Sequence, residues 1–228
     1  MTDEIIPFDE PVTLLGGGAA EASLLHDMLK LAPVLIAADG GANMAIAEAL
    51  MPERVIGDFD SVTPETLAAI PAGRHVRLAE QETTDFEKCL SRIDAPFVLG
   101  VGFLGARVDH TLAAWNVLVR HRGRRCILVG PDDVAFAAPD RLVLPLQPGT
   151  RLSLFPMAPV RGESRGLRWP IDGIAFAPGG RIGTSNEATG PVGLSFSGPG
   201  MLVILPRACL EPAIASLRHA AIPGVRAR

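Results

Sequence analysis

Between residue 12 and about residue 143, short apolar runs alternate with stretches of helical periodicity, and that alternation leaves few folds open to the chain. Val12–Leu15, Val34–Ala37, Arg54–Ile56, Phe97–Val101 and Cys126–Val129 read as strands, and Ala20–Leu31, Ala42–Leu50, Pro64–Ala69, Asp85–Ile93 and His110–His121 as helices. Parallel strands need long crossovers, which helices supply, so the pattern predicts a mostly parallel sheet covered on both faces. Such sheets take their ligands beyond the carboxyl ends of the strands. From about Leu144, Pro and Gly recur every few residues, β-prone stretches appear at Arg151–Phe155, Ile171–Phe176 and Met201–Leu205, and helical periodicity stops. The expected architecture is an α/β domain over residues 1–143, then a smaller all-β domain, a sandwich, over 144–228 that ends in a short helix at Pro212–Ala220 and a tail.

A chain of 228 residues with 48% hydrophobic and 20% charged residues can bury a core in one or two domains and is not disordered. No apolar run approaches the roughly 18 residues of a membrane helix. The start, Met1-Thr2-Asp3-Glu4, is acidic where a signal peptide is basic, so a soluble, cytoplasmic protein without membrane partners is expected. A net charge of -4 points away from nucleic acid, which calls for a clustered basic surface. Cys89, Cys126 and Cys209 stand far apart beside apolar neighbours and read as buried thiols, not as a zinc site or a disulfide.

The residues that carry chemistry sit at strand ends. Gly16-Gly17-Gly18 follows the first strand, so its N–H groups either face a phosphate or form a tight turn. Asp39-Gly40-Gly41-Ala42-Asn43 ends the second, and Asp39 either caps the following helix or faces a ligand. The sharpest feature is Gly57-Asp58-Phe59-Asp60-Ser61. In an extended segment side chains alternate, which would put Asp58 and Asp60 on one face and Phe59 in the core. Two carboxylates held close repel, and one pKa rises unless a cation lies between them. Hard oxygen ligands at a strand end suit Mg²⁺; a solvated acidic turn is the plainer alternative.

Thr84-Asp85-Phe86-Glu87-Lys88 has an ordinary explanation first: Thr84 as N-cap with Glu87 makes a capping box, and Phe86, Leu90 and Ile93 form the buried stripe. Asp85 and Lys88, spaced i,i+3 on the first turn, are left to face one cleft, one for metal and one for phosphate. The Arg and Asp of Arg107-Val108-Asp109-His110 make a surface pair or, beside a nucleotide, a phosphate clamp; His110 is a base or a helix-terminal histidine. Gly166-Leu167-Arg168-Trp169 and Thr184-Ser185-Asn186-Glu187 combine a ring with short hydrogen-bonding side chains. Taken singly, Trp169 reads as core and Thr184 to Glu187 as a turn.

In order along the chain, D-G-G-A-N at 39–43, G-D-F-D-S at 57–61, Q-x-x-T-D-x-x-K at 81–88, R-x-D-H at 107–110, G-L-x-W at 166–169 and T-S-N-E at 184–187 together resemble the thiamine pyrophosphokinase family. The resemblance implies an N-terminal α/β domain for Mg²⁺ and ATP, a C-terminal β-sandwich, and a homodimer whose thiamine site lies between subunits. It implies the reaction ATP plus thiamine giving AMP plus thiamine diphosphate. Carried over residue by residue, Asp58, Asp60 and Asp85 would hold Mg²⁺, while Lys88 and Arg107 would stabilise charge during transfer. Asp39, Gln81, Thr84, Lys88, Arg107 and Asp109 would position ATP and thiamine, and Trp169, Ser185 and Asn186 would contact thiamine. No dedicated base is assigned; Asp60 or Asp85 could take the proton late in the transfer. The chain departs from the family pattern at Ala106, where a second glycine is usual, at Glu80, where Asp is usual, and in the tail from about Arg207.

Three other readings compete. Asp58-Phe59-Asp60-Ser61-Val62 fits the D-x-D-x-[TV] pattern of haloacid-dehalogenase-like phosphatases, but no later G-D-x-x-x-D motif follows. A diphosphotransferase acting on another hydroxymethyl heterocycle, such as a pterin, would share the same site. A non-catalytic nucleotide sensor would keep the fold without turnover, and the full set of acidic positions speaks against it.

Overall fold

The computed structural model describes residues 4–105 and 107–221. It divides into two compact units, one of residues 1–117 with 128–131 and one of residues 118–127 with 132–228. Ala106 and the tail from residue 222 lie outside the described residues.

In the first unit, strands run in the order His75–Arg77, Arg54–Gly57, Val34–Ala38, Val12–Leu15 and Val98–Val101, each parallel to its neighbours. Every residue of Val12–Leu15 and of Val98–Val101 is buried, as expected where helices cover both faces of a parallel sheet. The crossovers carry helices Ala22–Leu31, Gly41–Ala47, Pro64–Ala69 and Asp85–Arg92, and Val108–Arg120 follows the last of these strands. Gly41–Ala47 is shorter than the Ala42–Leu50 that periodicity predicts, because Ala49 takes a left-handed φ of 56° that ends the helix. Ala37, Ala42, Val55, Val62 and Ile70 pack together, with Phe59, Ile46 and Leu67 against them. This cluster lies under the turn that follows Gly57.

The glycines after the first strand serve close packing of backbone. Gly16 N–H donates to Val101 O at 2.8 Å and Gly18 N–H to Gly102 O at 3.1 Å, so two of the three amides proposed to face a phosphate are already bonded. A Cβ on Gly41 would stand 2.2 Å from Leu15 O.

In the second unit, antiparallel strands run in the order Ala175–Phe176, Val160–Leu167, Gly183–Phe196, Arg151–Pro156, Met201–Pro206 and Asp133–Ala137, and Arg141–Leu144 pairs with Gly183–Phe196 as well. Thr184 to Glu187, read singly as a turn, lies inside the Gly183–Phe196 strand. The stretch Ile171–Phe176 contributes only Ala175–Phe176. Register shifts between Leu152 and Leu154 and between Arg165 and Leu167 mark bulges that strict alternation does not anticipate. The closing helix is Leu210–His219.

Among the described residues, no helix is long and apolar enough to cross a membrane. Cys89 and Cys126 are buried free thiols; Cys209, expected buried, is partly exposed. Because a Cβ on Gly41 would meet a main-chain carbonyl that cannot swing away, Gly41→Ala should destabilise the protein by about 1–3 kcal/mol, measured as a shift in urea-unfolding free energy.

Candidate active site

Asp39 ends the Val34–Ala38 strand with a left-handed φ of 43° and is 2% exposed. Its carboxylate accepts from Phe59 N–H at 2.8 Å through Oδ1 and from Ser61 N–H at 3.1 Å through Oδ2. Helix Gly41–Ala47 has Gly40 at its N-cap and no side-chain cap, so Asp39 holds the acidic turn and does not cap the helix. Only a glycine at 57 leaves it room, since a Cβ there would lie 2.8 Å from the Asp39 side chain. Burial, then the neighbouring charge of Asp85, pushes the Asp39 pKa up, against the lowering by the two backbone N–H groups.

The strand stops at Gly57, and Asp58 to Ser61 form a turn in which Phe59 takes a φ of 69°. Asp58 and Asp60 therefore converge by a left-handed turn, where the sequence pointed to extended alternation. Asp58 accepts from Asp60 N–H at 3.2 Å, from Gln81 Nε2 at 2.6 Å and from Lys88 Nζ at 3.4 Å. The Asp60 N–H, with Gln81 and Lys88 behind it, holds the Asp58 carboxyl below the usual range although burial opposes this. Asp58 thus moves down, opposite to the rise that repulsion within the pair would give, and the upward shift of Asp39 is a separate effect that comes first from its own burial.

Lys88 is 2% exposed on helix Asp85–Arg92, with Nζ also 3.1 Å from Asp85 Oδ1. Burial works against its ammonium, but Asp85 and Asp58 outweigh that cost and the pKa is raised. Thr84 Oγ1 accepts from Glu87 N–H at 3.3 Å as the N-cap, and Phe86, Leu90 and Ile93 are buried as expected. Just before the helix, Glu80 accepts from Glu82 N–H at 2.8 Å and Thr83 N–H at 3.0 Å, bracing the loop that carries Gln81.

Carboxylate oxygens of Asp39, Asp58 and Asp60 lie within 4.8 Å of one another, the first buried and the last exposed. Three hard oxygen donors that run from the interior to the surface are a set that suits Mg²⁺ with room left for phosphate oxygens. Asp85, the third ligand that the resemblance implies, lies against Lys88, which in turn bonds Asp58.

Arg107 and Asp109 form an exposed pair at the start of helix Val108–Arg120, with Nη2 to Oδ2 at 2.6 Å and Nε to Oδ1 at 3.2 Å. In the second unit, Trp169 N–H donates to Asn186 Oδ1 at 3.2 Å, and Asn186 Nδ2 donates to Trp169 O at 2.7 Å. Trp169 is 53% exposed, not core, and the guanidinium of Arg168 lies 4.9 Å from its ring centroid. Ser185, with a φ of 59°, donates its N–H to Ser153 Oγ at 3.0 Å. The structure thus brings Asp39, Asp58, Asp60, Gln81, Asp85 and Lys88 together. Arg107 and Asp109 form a separate pair, and Trp169 and Asn186 another. Asn43, Glu80 and Arg168 carry contacts that sequence reasoning missed; for Arg168 the adjacent tryptophan was the available signal.

Residues 25–129 match the family model described as thiamin pyrophosphokinase, catalytic domain, and residues 141–199 the model described as thiamin pyrophosphokinase, vitamin B1 binding domain. Thiamine pyrophosphokinase 1 of Oryza sativa subsp. japonica is 30% identical over 203 residues, 72% of this chain and 74% of that protein. Thiamine pyrophosphokinase 1 of Arabidopsis thaliana is 28% identical over 223 residues, 80% of this chain and 83% of that one. In fold, the chain is similar to the thiamin pyrophosphokinase from Candida albicans, with a TM-score of 0.72 at 16% identity, covering 90% of this chain and 97% of the other. The crystal structure of that enzyme from Geobacillus thermodenitrificans has a TM-score of 0.70 at 21% identity, covering 86% and 96%.

Thr84→Ala removes the acceptor for Glu87 N–H without touching the acids, so it should cost about 0.5–2 kcal/mol of stability. An unchanged unfolding free energy in chemical denaturation would show that the cap carries no weight here.

Proposed function

The chain belongs to the thiamin pyrophosphokinase family and has the function of a thiamine pyrophosphokinase, and from that premise we propose how its residues divide the work of moving a diphosphoryl group from ATP to thiamine. The thiamine hydroxyl oxygen attacks the β-phosphorus, the bond from that phosphorus to the α–β bridging oxygen breaks, AMP leaves with the oxygen, and the hydroxyl proton passes late in the transfer to Asp60, to Asp85 or to solvent. Residues 1–143 carry the nucleotide and 144–228 the thiamine. Asp58, Asp60 and Asp85 would hold Mg²⁺, and Asp39 would close the cluster from its buried side. When bound, the ion neutralises phosphate charge and aligns the phosphates. Lys88 and Arg107 stabilise the charge that develops on the transferring group. Asp39, Gln81, Thr84 and Asp109 orient the substrates.

The observation that carries this reading is the convergence of the Asp39, Asp58 and Asp60 carboxylates beside a buried lysine. Transfer of this kind asks mainly for positioning and charge compensation, and those groups supply both. Lys88, already ion-paired, stays protonated and is held in place by the two acids it would leave for phosphate.

Thiamine carries a cationic thiazolium, and an aromatic face attracts such a cation by roughly 0.5–2 kcal/mol. Trp169, with Ser185 and Asn186, is the proposed thiamine contact. Asn186 is well suited to hold it, because its amide bonds both the N–H and the carbonyl of Trp169. With Arg168 on one face of the ring, the substrate takes the other. In a cytoplasmic homodimer, each site combines one subunit's acids with the tryptophan of the partner subunit.

Incubation with ATP and thiamine should yield AMP and thiamine diphosphate; ADP or free phosphate as the sole product, or turnover with a pterin alcohol but not thiamine, would overturn the assignment. Asp60→Asn and Trp169→Arg subunits should each be inactive alone. Mixed at random, about half the dimers are heterodimers with one intact site, so about a quarter of wild-type activity should return. No recovery after subunit exchange, confirmed by mass spectrometry, would mean that Trp169 serves its own chain.

A further inference from the structure

The D-G-G-A-N segment presents two side chains, one just before helix Gly41–Ala47 and one in its first turn, and both reach the acidic turn. Asp39 takes the N–H groups of Phe59 and Ser61. Four residues on, Asn43 donates from Nδ2 to Ser61 O at 2.8 Å and accepts at Oδ1 from Thr63 N–H at 3.0 Å. A donor to the carbonyl of one residue and an acceptor from the amide two residues later is the pair of bonds that a parallel strand makes around the residue between. Here that residue is Val62, 7% exposed and packed against Ala37, Ala42, Val55 and Ile70. Thr63 then caps helix Pro64–Ala69, with Oγ1 accepting from Thr66 N–H at 3.2 Å. The amide of Asn43 therefore does for residues 61–63 what the sheet does for residues 54–57. There is little slack between the two segments, since a Cβ on Gly40 would lie 3.1 Å from Ser61 Cβ.

We propose that Asn43 is a positioning residue for diphosphoryl transfer: its side-chain amide fixes the backbone of residues 61–63 and thereby the aim of the Asp58 and Asp60 carboxylates, which Asp39 fixes from the other flank. The proposal rests on the reading of those carboxylates as the Mg²⁺ site. Few side chains meet the requirement. Serine has one group where two are used, and aspartate offers no donor to Ser61 O and adds a negative charge to a site already rich in them. The cost of losing the clamp is therefore geometric. Carboxylates that wander by a fraction of an ångström bind a small octahedral cation poorly, because Mg²⁺ tolerates little departure from its preferred directions.

The test uses the full chain, Mn²⁺ as a spin probe in an EPR titration, and steady-state kinetics with ATP and thiamine. Thr63→Ala is the control: it removes the cap of the same helix but keeps the Thr63 N–H that Asn43 holds. Folded Asn43→Ala should bind Mn²⁺ about tenfold more weakly or worse and lose kcat by a similar factor, with the thiamine KM unmoved. Asn43→Ser should fall between it and wild type, and decides the matter if Asn43→Ala does not fold. Thr63→Ala should lower Tm without changing Mn²⁺ affinity. Wild-type Mn²⁺ affinity and kcat in a folded Asn43 variant overturn the proposal whatever its Tm, and so does an equal loss in Thr63→Ala. Should the unaltered protein bind no Mn²⁺, the metal reading itself fails. The clamp is then judged on kcat, and a kcat that Asn43→Ala leaves unchanged overturns it.

Discussion

Asp39 is 2% exposed, and a carboxylate taken out of water must find donors or give up its charge. The donors it finds are the backbone N–H groups of Phe59 and Ser61, which bracket Asp60. Satisfying one buried acid therefore shapes the turn that presents two others. Hydrogen bonds to an ionised acceptor are among the stronger ones in proteins, so this pair can hold Phe59 in a left-handed conformation that a phenylalanine does not otherwise favour. Phe59 in turn packs on the apolar cluster of Ala37, Ala42 and Val55, so the strain is met by burial.

Charge balance is the second constraint. Asp39, Asp58, Asp60 and Asp85 gather in one region, and Lys88 is the buried cation bonded to two of them. Its position follows from helix geometry: Thr84 starts the helix, so Asp85 and Lys88 fall one turn apart on the same side. Against its burial, the Lys88 pKa is raised by Asp85 and then Asp58, and the Asp58 pKa is lowered by the Asp60 N–H, then Gln81 and Lys88; both directions keep the pair ionised. Asp39 alone moves the other way, because burial outweighs its two amide donors.

In the second unit an asparagine again does the work of backbone. Asn186 bonds both polar groups of the Trp169 main chain, as Asn43 bonds Ser61 and Thr63. In both places a side-chain amide copies a peptide group and fixes an irregular segment next to residues proposed for substrate. Arg168 covers one face of the ring while its guanidinium also pairs with Glu187 at 3.3 Å, so the tryptophan is held from its backbone and from its side.

Much of the first unit was legible because it depends on local period. Val12–Leu15, Pro64–Ala69 and Cys126–Val129 are found where the sequence put them, since continuous apolar runs and a Thr-Pro start need no distant partner to be recognised. Val160–Leu167 and Gly183–Phe196 were not legible: Gly162, Gly166, Gly190, Pro191 and Gly193 interrupt the alternation, and only pairing with neighbours holds such segments straight. The same division runs through the site. The sequence by itself determined which acids, amides and rings are available and in what order, and for Asp85 and Lys88 it determined their meeting, because three residues along a helix fix a distance. Only the tertiary structure decided that Asp39 completes a cluster with Asp58 and Asp60, that Gln81 reaches Asp58, and that Asn43 spans residues 61–63. Those contacts join residues about twenty apart, and their distances are set by which strands lie side by side and in what register, a property of the packed sheet that no local stretch of sequence contains.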